Sequence, residues 1–229
     1  MTRETRALRV FDHKVQRRIV GFIAILLAPT VSALRSEPGL LSSISSYYWS
    51  DVGSVFVAAL AVVAMFLFAY NGTGGTFDKE FFLAKFGGFF ALIVALFPTA
   101  NEGVPEAIGA EAPAWTRFVS SSIGVTPANL HIGAAVLLFL ILAAMLLIFA
   151  RRARDKGFPG RGGIYRVFAG ALMAGLVMVG IHMLCRFQDL ALPGLTHPSF
   201  VFYLEFYMLS VFGAAWLLAG FYEEKNEDP

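Results

Sequence analysis

Long apolar runs dominate the hydrophobic pattern of this chain. Six of them approach the length of about 20 residues that an α-helix needs to cross a bilayer. They cover residues 19–34, 52–70, 82–98, 130–150, 165–185 and 199–221. The first and third are short enough to require tilting or local thinning of the bilayer. The pattern therefore predicts an all-α integral membrane bundle of six transmembrane helices, which forms a single domain over residues 1–229.

Composition agrees with this prediction. Of the 229 residues, 57% are hydrophobic and only 15% are charged, which is typical of a membrane protein rather than a soluble domain. The formal net charge of +2 conceals an uneven distribution of Lys and Arg. Fifteen of the 18 lie on the side of the predicted membrane that holds both termini. Because cytoplasmic loops are enriched in Lys and Arg, both termini are predicted to be cytoplasmic, in the cell membrane.

The first apolar segment has a second interpretation. A basic tail, a short apolar run and the small residues Val31, Ser32 and Ala33 resemble a signal peptide with its cleavage site. Cleavage would leave five spans with unchanged orientations. Pro29 inside the run and the long tail before it favour a retained first helix.

One acidic side chain interrupts the last apolar run. Glu205 lies six residues into that span, about 9 Å below Ser199 at 1.5 Å per residue, and therefore in the outer third of a hydrocarbon core of about 30 Å. Ionisable groups at such depth are costly and usually functional. A neutral carboxylic acid that bonds to the backbone or to a hydroxyl group is the simpler alternative.

Other polar groups are predicted on the same outer side. The first outer connection is rich in serine and tyrosine and ends at Asp51, while three of the four histidines lie near outer helix ends. An aromatic belt with serine caps would explain the loop equally well. The sharper hypothesis is an outward-facing polar pocket. Its candidate ligand-binding residues are Ser45, Ser46, Tyr47, Tyr48, Asp51, His131, His182 and Glu205.

Catalysis and metal binding remain alternatives for these residues. A Ser-His-acid hydrolase could use Ser45 or Ser46 with His131 and Glu205, although no sharp nucleophile turn is visible. Zinc could be held by the histidines His131, His182 and His197, but no His-x-x-x-His or His-Glu-x-x-His pair fixes two ligands on one helix face. We therefore expect no cofactor and no metal.

The long outer connection, residues 101–128, carries three glutamates, then Trp115 and Phe118. A loop of this length in a compact bundle is either a functional lid or a small helix at the membrane surface. The aromatic pair beside Arg117 suits headgroup depth and favours the surface helix.

Three short motifs resemble the DRAM-like superfamily. They are Ser50-Asp51-Val52-Gly53 at the second span, Leu130-His131-Ile132-Gly133-Ala134-Ala135 with Phe139 in the fourth, and Glu205-Phe206 followed by Phe212-Gly213 in the last. The resemblance covers roughly residues 42–221 in the same six-span order. That superfamily groups autophagy modulators with GPI-lipid-remodelling proteins, and this chain looks more similar to an uncharacterised bacterial branch of it. The resemblance implies a six-span fold in a lipid context.

Lipid handling is the function that these features favour. We expect membrane lipids as partners, with His131 and Glu205 sharing a proton or hydrogen bond and the loop from Ser45 to Asp51 contacting the headgroup. The alternatives are a membrane-embedded hydrolase or acyl-transferase, which could use zinc, and a proton-coupled transporter. No nucleic acid partner is expected, because basic residues that flank membrane spans have a simpler explanation.

Overall fold

A computed structural model of the chain describes residues 13–72, 79–101, 103–107, 110–190, 192, 194–195 and 197–222. Seven α-helices lie in this part of the chain. They are α1 His13–Leu34, α2 Gly53–Ala69, α3 Lys79–Leu96, α4 Ala114–Ile123, α5 Pro127–Asp155, α6 Pro159–Phe187 and α7 Phe200–Tyr222. Two short 3-10 helices, Ser45–Trp49 and Pro105–Ala107, lie in the connections. No strand occurs among the described residues.

Four of these helices are long and apolar enough to cross a membrane. They cover Lys14–Leu34, Pro127–Asp155, Pro159–Phe187 and Phe200–Phe221. The helix α2 is apolar but has only 17 residues, and α3 carries three charged side chains near its start. The chain is thus an all-helical protein with several membrane-compatible helices.

Helix ends follow local chemistry. Pro127 opens α5, and the Thr126 side chain caps it by accepting a hydrogen bond from the Asn129 N–H at 3.2 Å. Both α5 and α6 extend beyond their predicted spans, because a helix continues past the hydrocarbon core wherever its polar ends suit water or headgroups. The basic residues before His13 and those after Tyr222, which enter the prediction of cytoplasmic termini, lie outside the described residues.

The six long helices form a closed ring. Each packs on its neighbour in the order α1, α2, α3, α5, α6, α7, and α7 packs again on α1. The closing contact is tight because two glycines face each other. A Cβ atom on Gly21 would lie 2.8 Å from the Gly213 carbonyl oxygen, and a Cβ on Gly213 would lie 2.6 Å from the Gly21 oxygen. Any larger residue at position 21 or 213 would therefore push α1 and α7 apart.

Aromatic packing fills one end of the ring. Trp216 of α7 is 2% exposed, and its ring centroid lies 4.9 Å from that of Phe212, 5.2 Å from Phe149 and 6.1 Å from Tyr70. At the other end, a second apolar cluster packs beneath the 3-10 helix Ser45–Trp49. Buried polar side chains lie beside both apolar clusters, and these polar side chains form the candidate sites.

Candidate functional site

His131 is almost completely buried in the first turns of α5, with 2% of its surface exposed. Its Nδ1 atom lies 2.7 Å from the Phe97 carbonyl oxygen, and its Nε2 atom lies 2.9 Å from the Ser45 hydroxyl oxygen. A carbonyl oxygen only accepts hydrogen bonds, so the proton of this contact belongs to Nδ1. In a neutral imidazole, Nε2 then carries the lone pair and faces Ser45.

Glu205 approaches Ser45 from the opposite side. Its Oε2 atom accepts hydrogen bonds from the main-chain N–H groups of Ile44, at 2.6 Å, and Ser45, at 3.3 Å. Its Oε1 atom lies 3.3 Å from the Ser45 hydroxyl oxygen. Ser45 therefore lies between His131 and Glu205 and connects them. We call these three residues the Ser45 cluster.

Donor and acceptor chemistry limits how protons are distributed in the Ser45 cluster. The Ser45 hydroxyl group has one proton, but it makes two contacts, with His131 and with Glu205, and each hydrogen bond requires a proton of its own. If Ser45 donates to His131, then Glu205 must be protonated and donate to Ser45. If Ser45 donates to Glu205, then His131 must be an imidazolium that donates to Ser45. Both arrangements contain the same number of protons, and they differ only by proton transfer along the chain from Glu205 through Ser45 to His131.

A network of serines holds the turn that carries Ser45. The Ser43 hydroxyl accepts a hydrogen bond from the Ser46 N–H at 3.0 Å, and the Ser46 hydroxyl lies 3.0 Å from that of Ser42 and 2.7 Å from that of Ser43. The Phe202 N–H donates to the Ser42 carbonyl at 2.9 Å and ties the loop to the start of α7. Ser46 thus belongs to the support of the turn, whereas Ser45 contacts His131.

Gly53 allows α2 to begin directly against this turn. A Cβ atom at this position would lie 2.3 Å from the Tyr48 carbonyl oxygen and 3.3 Å from that of Tyr47. Only glycine fits without moving the main chain. Gly53, the last residue of the Ser-Asp-x-Gly motif, therefore lets α2 pack closely against the 3-10 helix that carries Ser45.

The two tyrosines of the loop pack against apolar side chains. Tyr47 is fully buried, with its ring centroid 6.0 Å from that of Phe202, and Tyr48 packs edge-on against Trp49. Burial raises the pKa of both phenols. Tyr47 therefore contributes to the apolar cluster beneath the turn, in contrast to the polar lining that the sequence suggests.

Asp51 is bound elsewhere than in the Ser45 cluster. It is exposed, and its carboxylate accepts hydrogen bonds from the Ser36 N–H, at 3.0 Å, and from the Ser36 hydroxyl. These hydrogen bonds lower the pKa of Asp51. The side chain ties the end of the loop back to the residues that follow α1.

The other two histidines that the sequence analysis predicts on the outer side, His182 and His197, make local contacts. His182 Nδ1 lies 3.0 Å from the Leu195 carbonyl oxygen, and its ring stacks on that of Phe200. His197 Nδ1 accepts a hydrogen bond from the Ser199 N–H at 3.1 Å. Among the residues described, no three His, Cys, Asp or Glu side chains come close enough to hold a metal ion together. The three histidines named as weak zinc ligands thus stand in three separate environments.

Three residues of the motifs that resemble the DRAM-like superfamily contribute to this site. His131 and Glu205 are two members of the Ser45 cluster, and Gly53 supports the third. No family model, curated protein or solved structure matches this chain. Membership of that superfamily stays a prediction.

A second polar cluster at the opposite end of the ring is not evident from the sequence patterns. The Arg17 guanidinium donates to the Tyr70 hydroxyl at 2.5 Å, the Tyr70 hydroxyl donates to Glu80, and Arg152 donates to both oxygens of Glu80. Arg17 and Glu80 are each 1% exposed. We call these four residues the Glu80 cluster. The sequence signal is weak: Glu80 is an acidic residue beside Lys79, two positions before a predicted span.

Aromatic rings surround the charges of the Glu80 cluster. The Arg17 guanidinium carbon lies 5.3 Å from the ring centroid of Tyr70 and 5.2 Å from that of Phe149. Arg152 lies 5.8 Å from the same Phe149 ring. Such cation-π contacts stabilise a desolvated guanidinium group. The Glu80 cluster thus links α1, the end of α2, α3 and α5 through side-chain contacts.

Proposed function

We propose that this chain is a six-span protein of the cell membrane, with both termini in the cytoplasm, that binds a membrane lipid at the Ser45 cluster. The observation that carries the proposal is the position of the Ser45 hydroxyl, within hydrogen-bond distance of both His131 and Glu205. Donors and acceptors of this kind suit a polar headgroup.

Helix length supports six spans. At 1.5 Å per residue, the 17 residues of α2 and the 18 of α3 extend about 26 and 27 Å, only slightly less than a hydrocarbon core of about 30 Å. Mismatch of this size is accommodated by bilayer thinning. The Lys and Arg excess supports a cytoplasmic location for the Glu80 end of the ring and an outer location for the Ser45 cluster.

Exposed apolar side chains support lipid as the surrounding medium. On α6, Val167 is 70% exposed and Phe187 is 83% exposed. The short helix α4 has the reverse polarity of a helix on a soluble protein, because Thr116 and Ser120 are buried while Phe118 is 72% exposed. A helix with this polarity suits the boundary between headgroups and acyl chains, in agreement with the predicted surface helix.

The surface around Glu205 suits a lipid with its chains along α7. Glu205 is half-buried, and the neighbouring side chains Tyr203, Phe206 and Tyr207 are exposed. A headgroup at the Ser45 cluster would leave its acyl chains against these aromatic rings. Lipid binding thus combines a polar contact that the cluster supplies with an apolar surface beside it.

The experiment compares lipid co-purification by native mass spectrometry. Wild-type protein is expected to retain one lipid class, and both Glu205→Gln and His131→Ala are expected to lose it while remaining folded by circular dichroism. His182→Ala is the matched control, since His182 does not contact the cluster, and it should retain the lipid. Unchanged lipid content in both cluster variants would refute the proposal.

A specific contact also favours a second candidate, a membrane-embedded hydrolase or acyl-transferase. Ser45 and His131 are a nucleophile and a base at 2.9 Å, and the Phe97 carbonyl fixes the imidazole through Nδ1. A nucleophile, a base and a group that orients the base are the recurring parts of covalent catalysis. The contacts are those of a neutral histidine that can accept the serine proton.

A further inference from the structure

The carboxyl group of Glu205 covers the Ser45 hydroxyl. One carboxyl oxygen lies 3.3 Å from the Ser45 hydroxyl oxygen, and the other accepts from two main-chain N–H groups, those of Ile44 and Ser45 itself. On its other side, the same hydroxyl contacts His131 Nε2 at 2.9 Å. The nucleophile is thus already aligned with a base, while an internal carboxyl group fills the space where a reacting group would lie.

The position of this carboxyl group matches what an acyl-transfer site presents to a substrate. Such a site needs a hydroxyl oxygen beside the carbonyl carbon and N–H donors directed at the carbonyl oxygen. A carboxyl group resembles an ester in shape, with two oxygens on one planar carbon. Glu205 places one oxygen on the N–H donors and the other beside the hydroxyl, which is how a product acid would bind.

We propose that the Glu205 carboxyl group occupies the subsite for the ester group of a lipid, and that Ser45 becomes a nucleophile when this carboxyl group withdraws. The proposal rests on the Ser45 cluster being the lipid site. It names the substrate class as carboxylic esters and gives Glu205 the role of an internal cover. His131 is the base, because its Nε2 atom carries the free lone pair when Nδ1 donates to Phe97.

The reaction balances without a cofactor. The Ser45 oxygen bonds to the ester carbonyl carbon, and the hydroxyl proton passes to His131 Nε2. The C–O bond to the leaving alcohol then breaks, and the alkoxide takes that proton from His131. Water, or a second alcohol, releases the acyl group from Ser45 by the same steps in reverse order.

A serine-reactive probe tests the cover directly. Full-length protein in detergent is treated with an alkyl fluorophosphonate, which bonds to an activated serine oxygen and releases fluoride. Glu205→Ala is expected to label about 10- to 100-fold faster than wild type, the factor that corresponds to losing a carboxyl group's hydrogen bonds. His182→Ala is the matched control, because His182 contacts Leu195 and Phe200 and lies outside the Ser45 cluster, and it should label as slowly as wild type.

Second-site variants identify the reacting atoms. In the Glu205→Ala background, Ser45→Ala should abolish labelling, and His131→Ala should slow it by about 100-fold or more, the usual contribution of a general base. Added acetate should slow labelling of Glu205→Ala, since it can refill the vacated subsite. Peptide mass spectrometry should place the phosphonyl group on Ser45.

Three results would overturn the proposal. They are a folded Glu205→Ala protein that does not label, labelling that survives Ser45→Ala, and wild type that labels as fast as Glu205→Ala. If Glu205→Ala does not fold, Glu205→Asp carries the same test, because its shorter side chain withdraws the carboxyl group from the N–H donors. Because the probe is not a lipid, labelling of Ser45 stands apart from lipid co-purification, and either result can fail without the other.

Discussion

At the Glu80 end of the ring, Arg152 pairs with the Glu80 carboxylate and Arg17 reaches it through the Tyr70 hydroxyl, whereas at the other end a histidine, a hydroxyl and a carboxyl group meet around a loop. The first arrangement pairs full charges, and aromatic rings shield them. The second satisfies all its contacts in an uncharged form. Charge pairing fixes a geometry, while a shared proton allows two states of equal charge. We therefore expect the Glu80 cluster to contribute stability, and we place the proposed chemistry at the Ser45 cluster.

The largest expected effect tests this division with the same substitution at both ends. Glu80→Gln should destabilise the protein by about 3–5 kcal/mol, because it leaves the Arg152 guanidinium without its carboxylate and removes the charge that buried Arg17 reaches through Tyr70. Glu205→Gln should cost about 1 kcal/mol or less, because the amide oxygen still accepts from the main chain. Unfolding in detergent, followed by circular dichroism, measures both. Equal losses at the two ends would contradict the division.

The next effect concerns the support of the loop. Gly53→Ala should destabilise by about 1–3 kcal/mol, the usual cost of overpacking, because its Cβ would lie 2.3 Å from the Tyr48 carbonyl oxygen. Gly133→Ala is the control, since no atom lies within 4 Å of its added Cβ and it sits inside α5. It should be neutral or stabilise by up to about 1 kcal/mol. Tolerance of alanine at residue 53 would show that the turn is not held by this contact.

The smallest effect sharpens the contrast with a charge pair at the same end of the ring as the Ser45 cluster. Arg35 is 3% exposed and contacts the 25% exposed Glu106 at 2.8 Å. The hydrogen bond from Arg35 lowers the pKa of Glu106. A carboxyl group with a lowered folded-state pKa adds stability above its unfolded-state pKa, and this stability is lost as the pH falls through the folded-state value.

Glu106→Gln should therefore destabilise by about 1 kcal/mol near neutral pH, and the difference from wild type should disappear in acid. Thermal unfolding across a pH series measures this. Glu111→Gln is the control. Glu111 pairs with Arg117, but their side chains are 70% and 52% exposed, respectively, so this ion pair should contribute nothing measurable to stability. A difference that persists in acid would mean that the amide disturbs packing rather than charge.

Most of the helices follow from composition and length, and their relative positions do not. The apolar runs predict each long helix, since a run near twenty residues suits only a few structures. Glu205 stands out for the same reason, as one carboxylate in an apolar run. The sequence suggests His131 and either Ser45 or Ser46 as its companions, but it does not predict that Ser45 lies between Glu205 and His131. Ser45 lies 86 residues from His131 and 160 from Glu205, and only the ring order brings the three together.

The sequence does not predict two features, the burial of Glu80 and the position of Asp51, and each has a physical reason. Glu80 lies before the third predicted span, yet α3 begins at Lys79, so a charge that appears to sit in a loop is buried inside the ring. The sequence predicts Asp51 in the polar pocket because it follows the serines. The 3-10 helix ends just before it, and the carboxylate turns toward Ser36. Direction along an irregular segment is set by tertiary contacts that spacing does not encode.

The Ser45 cluster also has a consequence for biogenesis. Its three members come from the first connection, the start of α5 and the last helix of the chain. The N–H groups of Ile44 and Ser45 gain the Glu205 carboxyl group only after α7 has been synthesised and has packed against α1. A nascent chain that lacks α7 carries Ser45 and His131 but not the Glu205 carboxyl group. The Ser45 cluster therefore cannot form before α7 has been synthesised.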